Sequence, residues 1–225
     1  MRVKIYQINA DRDANHVMFA GLDRLSKCQG SLEIDPSIYD EVFSAEMEDA
    51  NPESLFAIFN TTYHPLYRGR SMSVSDVVVT EEGAFFCDSV GFAQIGFDES
   101  KTQKPDDLLR VVYVEPGKPA YEAEILHDLR AEQKAVGGLI EPIYLDDDLL
   151  IVGNEESKLI GMPGNRRLEG IGIIAGPFFA VGDDEGDFRS LTDDETRQML
   201  ERFAQPEEIS QEEVEADTGF IFYPI

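Results

Sequence analysis

Between positions 64 and 76 lie His64, Ser71, Ser73, Ser75 and Asp76, the residue types of a hydrolytic triad. Such a site needs a hydroxyl to attack, an imidazole to take its proton and a carboxylate to orient the imidazole. It also needs the nucleophile on a sharp elbow, and no G-x-S-x-G or comparable turn occurs in the chain. The serines and Asp76 suit a second use equally well, as side chains that bond backbone N–H groups while a loop enters a strand. That use is the expectation, and no catalytic residue is assigned.

Arg68 and Arg70 form one basic spot, Arg166 and Arg167 another. A guanidinium is suited to bidentate recognition of carboxylate or phosphate. Each spot can pair with nearby Asp or Glu. Alternatively, together with His64 and Asp76, the arginines can anchor a small anionic or nucleotide-like ligand. The second use requires a concave pocket in which at least two of these arginines converge with His64 or Asp76.

His16, His64 and His127 are far apart and lack the H-x-x-x-H or H-x-E spacing that gathers zinc ligands on one helical face. Asp183, Glu185 and Asp187 alternate like calcium ligands, but Phe188 stands where an EF-hand loop needs glycine. Gly161-Met162-Pro163-Gly164 lacks the spacing of a phosphate loop. No metal and no cofactor is expected.

The chain has 45 acidic against 19 basic side chains, a formal net charge of -26, which repels phosphate backbones and anionic lipid surfaces. Direct binding of nucleic acid is therefore not expected. Solubility, attraction to a basic partner and mimicry of a nucleic acid's charge are three uses of that acidity. Residues 183–217 alone carry 14 acidic and 3 basic side chains. A hydrophobic content of 42% is enough for a packed core, so the chain should fold despite its charge. Cys28 and Cys87 form no C-x-x-C pair, and residues 1–4 do not resemble a secretory signal, so a cytoplasmic setting is expected. Cys87 sits in an apolar strand pattern, as a small core side chain. No apolar run approaches the ~18 residues of a membrane span.

Several elements must position these groups. Alternation in Val3 to Ile8 predicts a strand, and Val17-Met18-Phe19 has the composition of a second. Asp35-Pro36 and Asn51-Pro52 each predict a helix start. The first helix would place Ile38, Tyr39, Val42, Phe43 and Met47 on one face, the second Leu55, Phe56 and Phe59. Val77 to Val79 and Ala84 to Cys87 read as a hairpin turning at Glu81-Glu82-Gly83 and bent near Gly91. Residues 98–107 are polar, contain Pro105 and read as a linker. Beyond it, Leu108 to Val114 and Tyr121 to Ile125 form another hairpin, and a helix from His127 to Val136 stops at Gly137-Gly138. Strands are expected at Leu139–Tyr144, Leu149–Val152, Lys158–Ile160 and Ile171–Val181, with Gly164 to Arg167 a polar connection. Thr192 to Glu195 is a capping box ahead of a helix through Phe203. Residues 207–217 read as an acidic tail before an apolar end.

The stretches YRGRSMSVSDVVV and GAFFCDSVGF, residues 67–79 and 83–92, resemble the YodL-like domain of bacterial proteins. From Leu109 to Phe203 the segments VVYVEPG, LIEPIY after a glycine pair, GNEESKLIG, NRRL, IIAGPFF and SLTDDE resemble a bacterial domain of unknown function, family 3846. Neither family implies an activity or functional residues. The resemblance implies a setting on conjugative and other mobile elements.

The expected fold is α+β, in two small domains, each a mainly antiparallel sheet with one or two packed helices. Their bounds are 1–97 for the YodL-like domain, 98–107 for the linker, 108–205 for the second domain and 206–225 for the tail. The expected function is that of a non-catalytic accessory protein of a mobile element that binds a protein partner through an acidic surface. A basic nucleic-acid-binding protein would be such a partner, with mimicry in an anti-restriction or anti-defence role as the sharpest form. Two alternatives stay open: an enzyme or binding module for a small anionic or nucleotide-like ligand using the arginines, and a scaffold docking through Phe220 to Ile225.

Overall fold

The computed structural model describes residues 1–29, 33–62, 64–105, 107–146 and 148–217. The apolar end from Phe220 to Ile225 and the centre of the Asp146–Asp148 turn lie outside them. The chain divides into two compact units, 1–106 and 107–225. Each is an antiparallel sheet with helices packed on it, an α+β architecture.

In the first unit, β1 (Arg2–Ile8), α1 (Leu22–Gln29), β2 (Tyr39–Glu46), α2 (Pro52–Thr61), β3 (Val77–Thr80), β4 (Gly83–Cys87) and β5 (Phe92–Ile95) follow in order. The strands lie side by side as β5-β4-β3-β1-β2. The register of β1 on β2 slips between Ile5, opposite Phe43, and Tyr6, opposite Glu41, which makes Val42 the extra residue of a bulge. Tyr6, Ile8, Tyr39, Val77 and Phe86 share one core with Leu25 of α1. Asn51 caps α2 by accepting the N–H groups of Glu53 and Ser54. Helix α2 buries Leu55 and Phe59, and Phe59 meets Phe43 edge to face at 4.8 Å. Cys87 is buried, and burial pushes its thiol up to about 11.

Three expectations fail here. Asp35 does accept the N–H of Ser37, but it caps only the 3-10 turn Pro36–Ile38, and the residues expected as a helix form β2. Both faces of β2 are covered, so Tyr39, Phe43, Ser44 and Ala45 are all buried, and such a run fits a helical spacing as well as a strand. Val17 lies in irregular chain and Met18 and Phe19 in a turn instead of a strand, because the Asp13 carboxylate takes the N–H groups of Val17 and Met18. The expected bend at Gly91 is a full turn, and β5 is a separate strand on β4. Residues 98–104 pack on this unit: Asp98 caps the 3-10 turn Glu99–Lys101, and Gln103 exchanges backbone bonds with Tyr39 and Glu41.

The second unit contains β6 (Leu108–Val114), β7 (Tyr121–Leu126), α3 (Leu129–Val136), β8 (Ile140–Tyr144), β9 (Leu149–Asn154), β10 (Gly164–Leu168), β11 (Gly172–Ala175), β12 (Phe178–Asp184), β13 (Asp187–Arg189), α4 (Asp193–Arg202) and α5 (Gln211–Ala216). Its strands run β7-β6-β12-β9-β8, with β13 also on β12 and β10–β11 as a separate hairpin. Val112, Ile151, Phe178, Met199 and Phe203 anchor its core. Strand β8, paired only with β9 among the described residues, carries Glu141 and Pro142, which discourage pairing with another chain. Helix α3 ends at Gly137, whose φ of 76° is the left-handed cap that glycine adopts without strain.

Here too the structure departs from expectation. Residues 158–160 form turns, Gly164 to Arg167 is β10 instead of a polar connection, and the run 171–181 is two strands broken at Gly176-Pro177. The acidic tail contains α5, opened by a second capping box between Ser210 and Glu213.

The expected box at Thr192 and Glu195 is present at α4. Hydrogen bonds from Arg189, against the upward push of burial, hold the Glu195 carboxyl at about 2 instead of 4.5, with help from Thr192. A depressed folded value means stability that is present above the unfolded value and is lost as pH falls through the folded one. Urea titrations should therefore show unfolding free energy falling between pH 4.5 and pH 2, and Glu195→Gln should remove about 1–2 kcal/mol of that fall, because water screens part of the pair. An unchanged pH profile in the variant would count against this assignment.

Candidate functional site

Asp76 enters β3 with its side chain fully buried. Arg70 grips it with Nη2 at 2.6 Å from Oδ1 and Nη1 at 3.0 Å from Oδ2, while Gln7 Nε2 at 2.9 Å and the Ser73 N–H at 2.8 Å donate to Oδ2. Burial drives the carboxyl above its ordinary value, against the opposing pull of Arg70, Ser73 and Gln7. Gln7 also accepts the Arg70 N–H, and the Tyr67 hydroxyl donates to the Arg70 carbonyl. The Arg70 guanidinium lies 4.6 Å over the ring of Phe19. Ser75 is buried at φ 78°, its hydroxyl accepts the Phe19 N–H and its carbonyl accepts the Tyr39 hydroxyl. Asp76 and Ser75 are thus engaged in tying the loop to β1 and β2. His64 packs among aromatic rings, 4.9 Å from Phe43 and 5.6 Å from Phe59, and its Nδ1 accepts the Leu66 N–H.

A second polar network, around Glu41 of β2, escaped the sequence reading, because a helix over 38–47 would have left Glu41 on the wet face. Its side chain is fully buried, with Arg68 Nη2 3.7 Å from Oε1 and Lys104 Nζ 3.6 Å from Oε2. The Tyr6 hydroxyl is 3.2 Å from Glu41 but 2.6 Å from Glu99, which also receives Lys4 Nζ at 2.8 Å. One phenol has one proton, so the shorter contact to Glu99 holds it, and Glu41 relies on the two cations. Burial raises the Tyr6 phenol far above its usual value, with the Glu99 hydrogen bond adding to the shift.

Arg166 and Arg167 are neighbours on β10 and so face opposite ways. Arg166 is 2% exposed. Its Nη1 donates to the carbonyl and side-chain oxygen of Asn165, and its Nη2 to the carbonyls of Lys118 at 2.8 Å and Phe203 at 2.9 Å. It makes no ion pair among the described residues, and burial lowers its pKa. Arg167 is exposed and bridges Glu207 at 3.0 Å and Glu213 at 2.6 Å. All four arginines are therefore engaged within the protein, and the two pairs belong to different units. A cavity of about 100 Å³ in the first unit is lined by Arg12, Asp13, Val17, Leu25 and Tyr39, with none of the six sequence-selected residues on its wall. It is smaller than the ~300 Å³ of a small-molecule site. No group of three or more His, Cys, Asp or Glu side chains is arranged to hold a metal among the described residues.

Carboxylates dominate one end of the second sheet. Because β12 is antiparallel to both β6 and β9, its end at Asp184 meets their starts, together with the β13 turn and the start of α4. Exposed Asp107, Asp146, Asp148, Asp184, Asp187 and Asp193 converge there from four segments: the start of β6, the β8–β9 turn, the β12–β13 hairpin and the start of α4. Backbone and side-chain bonds fix them: the Asp183 N–H to the Asp148 carbonyl, His127 between Asp107 at 3.3 Å and Asp187 at 3.1 Å, and Arg110 to Asp193. The cations of this end, Arg110 and Arg189, are each held by carboxylates.

Comparison with known families places both units. A family described as YodL-like domain matches residues 2–97, and one described as Domain of unknown function (DUF3846) matches residues 109–204. The chain is a YodL-like domain followed by a DUF3846 domain. No curated protein and no solved structure matches it. In the YodL-like domain, residues 67–79 form the Arg70–Asp76 knot. In the DUF3846 domain, residues 165–168 are the strand of the buried Arg166, and residues 190–195 contain the capping box of α4. No helix among the described residues is long and apolar enough to cross a membrane.

Proposed function

We propose that this chain is a non-catalytic binding protein of a bacterial mobile element, acting in the cytoplasm, whose DUF3846 domain engages a basic protein surface through its acidic end. The supporting observation is the convergence of exposed aspartates from four segments at one end of a sheet, where the nearby arginines are already paired. Such a field steers a basic partner and repels nucleic acid. A nucleic-acid-binding protein of host or element has the complementary surface, and occupying it would give an anti-restriction or anti-defence effect. The ligand-binding alternative has less support, since the arginines it needs are consumed internally.

The test is capture from bacterial lysate with the full chain and with Asp146→Lys/Asp184→Lys, at low and high salt. A basic partner should bind about tenfold more weakly to the double variant and should be released by salt, as screening of exposed charge requires. Binding indifferent to both changes would overturn the proposal.

A further inference from the structure

We infer that the open edge of the YodL-like sheet, strand β5, accepts an extended peptide with basic flanks as an added strand. Among the described residues β5 pairs only with β4. An edge strand directs alternate N–H and C=O groups outward, and proteins usually guard it with charge, proline or a bulge. Strand β8 has such guards. Strand β5, Phe-Ala-Gln-Ile, has no charge and no proline, and its register on β4 runs unbroken from Phe92 to Ile95.

Beside it runs an open groove of about 970 Å³, lined by the apolar Leu22, Ile34, Ile95 and Phe97 and by Glu33 and the paired Asp98 and Lys101. Ala93 and Ile95 stand opposite Phe86 and Ala84, which belong to the core, so the groove lies along the core-side face of β5. A strand added to β5 would place alternate side chains in that groove, the geometry of β-augmentation. Val90, 93% exposed at the head of β5, extends the apolar contact.

Charge selects the occupant. At one end, Gln94 Nε2 donates to the carbonyl of Glu82, which brings exposed Glu81 and Glu82 beside the strand. At the other, Glu53 Oε1 lies 3.7 Å from where a side chain on Gly91 would begin. These three glutamates make no ion pair among the described residues. A second copy of this chain would bring the same acidic flanks against them, whereas Lys or Arg on both sides of a short apolar strand would meet opposite charge at each end.

The probe is a synthetic ten-residue peptide of alternating Val and Thr with two Lys at each end, mixed with the full-length chain at low salt. Amide hydrogen exchange within 92–95 should slow at least tenfold. A Glu-flanked peptide should bind at least tenfold more weakly, as should the Lys-flanked peptide with Glu81→Lys/Glu82→Lys. Methylating alternate backbone nitrogens on the probe should abolish protection, because it removes main-chain donors but keeps side chains and charge. Equal binding by the methylated probe, protection elsewhere than 92–95, or no binding would each overturn the inference. Gln94→Lys, at an exposed position, should block the probe without changing the thermal midpoint.

Discussion

Replacing Arg166 with methionine should lower the unfolding free energy by about 2–3 kcal/mol, mostly by leaving the buried Asn165 side-chain oxygen and the part-buried Lys118 carbonyl without donors. Arg166 is the joint between four pieces of the DUF3846 domain. Asn165, next to it, donates to the carbonyls of Val114 and Gly176, while Arg166 reaches the β6–β7 turn at Lys118 and the end of α4 at Phe203. A cation there also faces the negative end of the helix dipole. Two terms oppose the loss: Nε has no partner, and the guanidinium has given up water, so methionine recovers some desolvation. Phe203 also keeps one donor, the Ala120 N–H. The carbonyl of Lys118 and the side-chain oxygen of Asn165 have no such substitute in the described structure, and that decides the sign. Urea unfolding of the full chain measures it, with Arg167→Met as the surface control at about 0–1 kcal/mol. A loss below 1 kcal/mol for Arg166→Met would show that the joint relaxes or takes up water.

Asp76→Ala should cost about 2–3 kcal/mol, since it takes the carboxylate from the half-buried Arg70 guanidinium and the acceptor from the Ser73 N–H, while the Gln7 amide keeps the Tyr67 hydroxyl and the Arg70 carbonyl. Arg70→Met should cost more, about 3–5 kcal/mol, because it leaves the fully buried Asp76 carboxylate without a cation, with only Gln7 and Ser73 donating to it. The double variant should be more stable than the sum of the two losses predicts, by about 1–3 kcal/mol of coupling. A strictly additive cycle would mean that Arg70 and Asp76 do not act as a pair. The same cycle bears on the catalytic reading of this loop, which required Asp76 to orient an imidazole; the carboxylate is instead saturated by Arg70, Gln7 and Ser73.

What the sequence revealed follows the range of the forces. Local signals were legible: alternation in β1, the Asn51 cap of α2, the glycine stop of α3 and the capping box of α4 each depend on neighbours within about four residues. Residues 39–46 were misread because burial on both faces of β2 erases the period that separates strand from helix. Strand β10 was hidden because Asn165 and Arg166 look polar until their acceptors, up to 51 residues away, are known. At the candidate site, the Arg70–Asp76 pairing spans six residues and is within reach of sequence reasoning. Arg68 and Glu41 are 27 residues apart, and the acidic end assembles from four segments, so only the sheet register reveals them.

The buried thiol of Cys87 makes the YodL-like domain a reporter of its own opening. Held near 11, the group is almost wholly uncharged at neutral pH and shielded from reagents while β4 is in place. Both cysteines of the chain, Cys28 and Cys87, precede residue 107. With Cys28 replaced by serine, the rate at which an alkylating reagent modifies the protein becomes a clock for transient exposure of this one strand. No cysteine lies beyond residue 107, so the clock reads the opening of the YodL-like half within the intact chain.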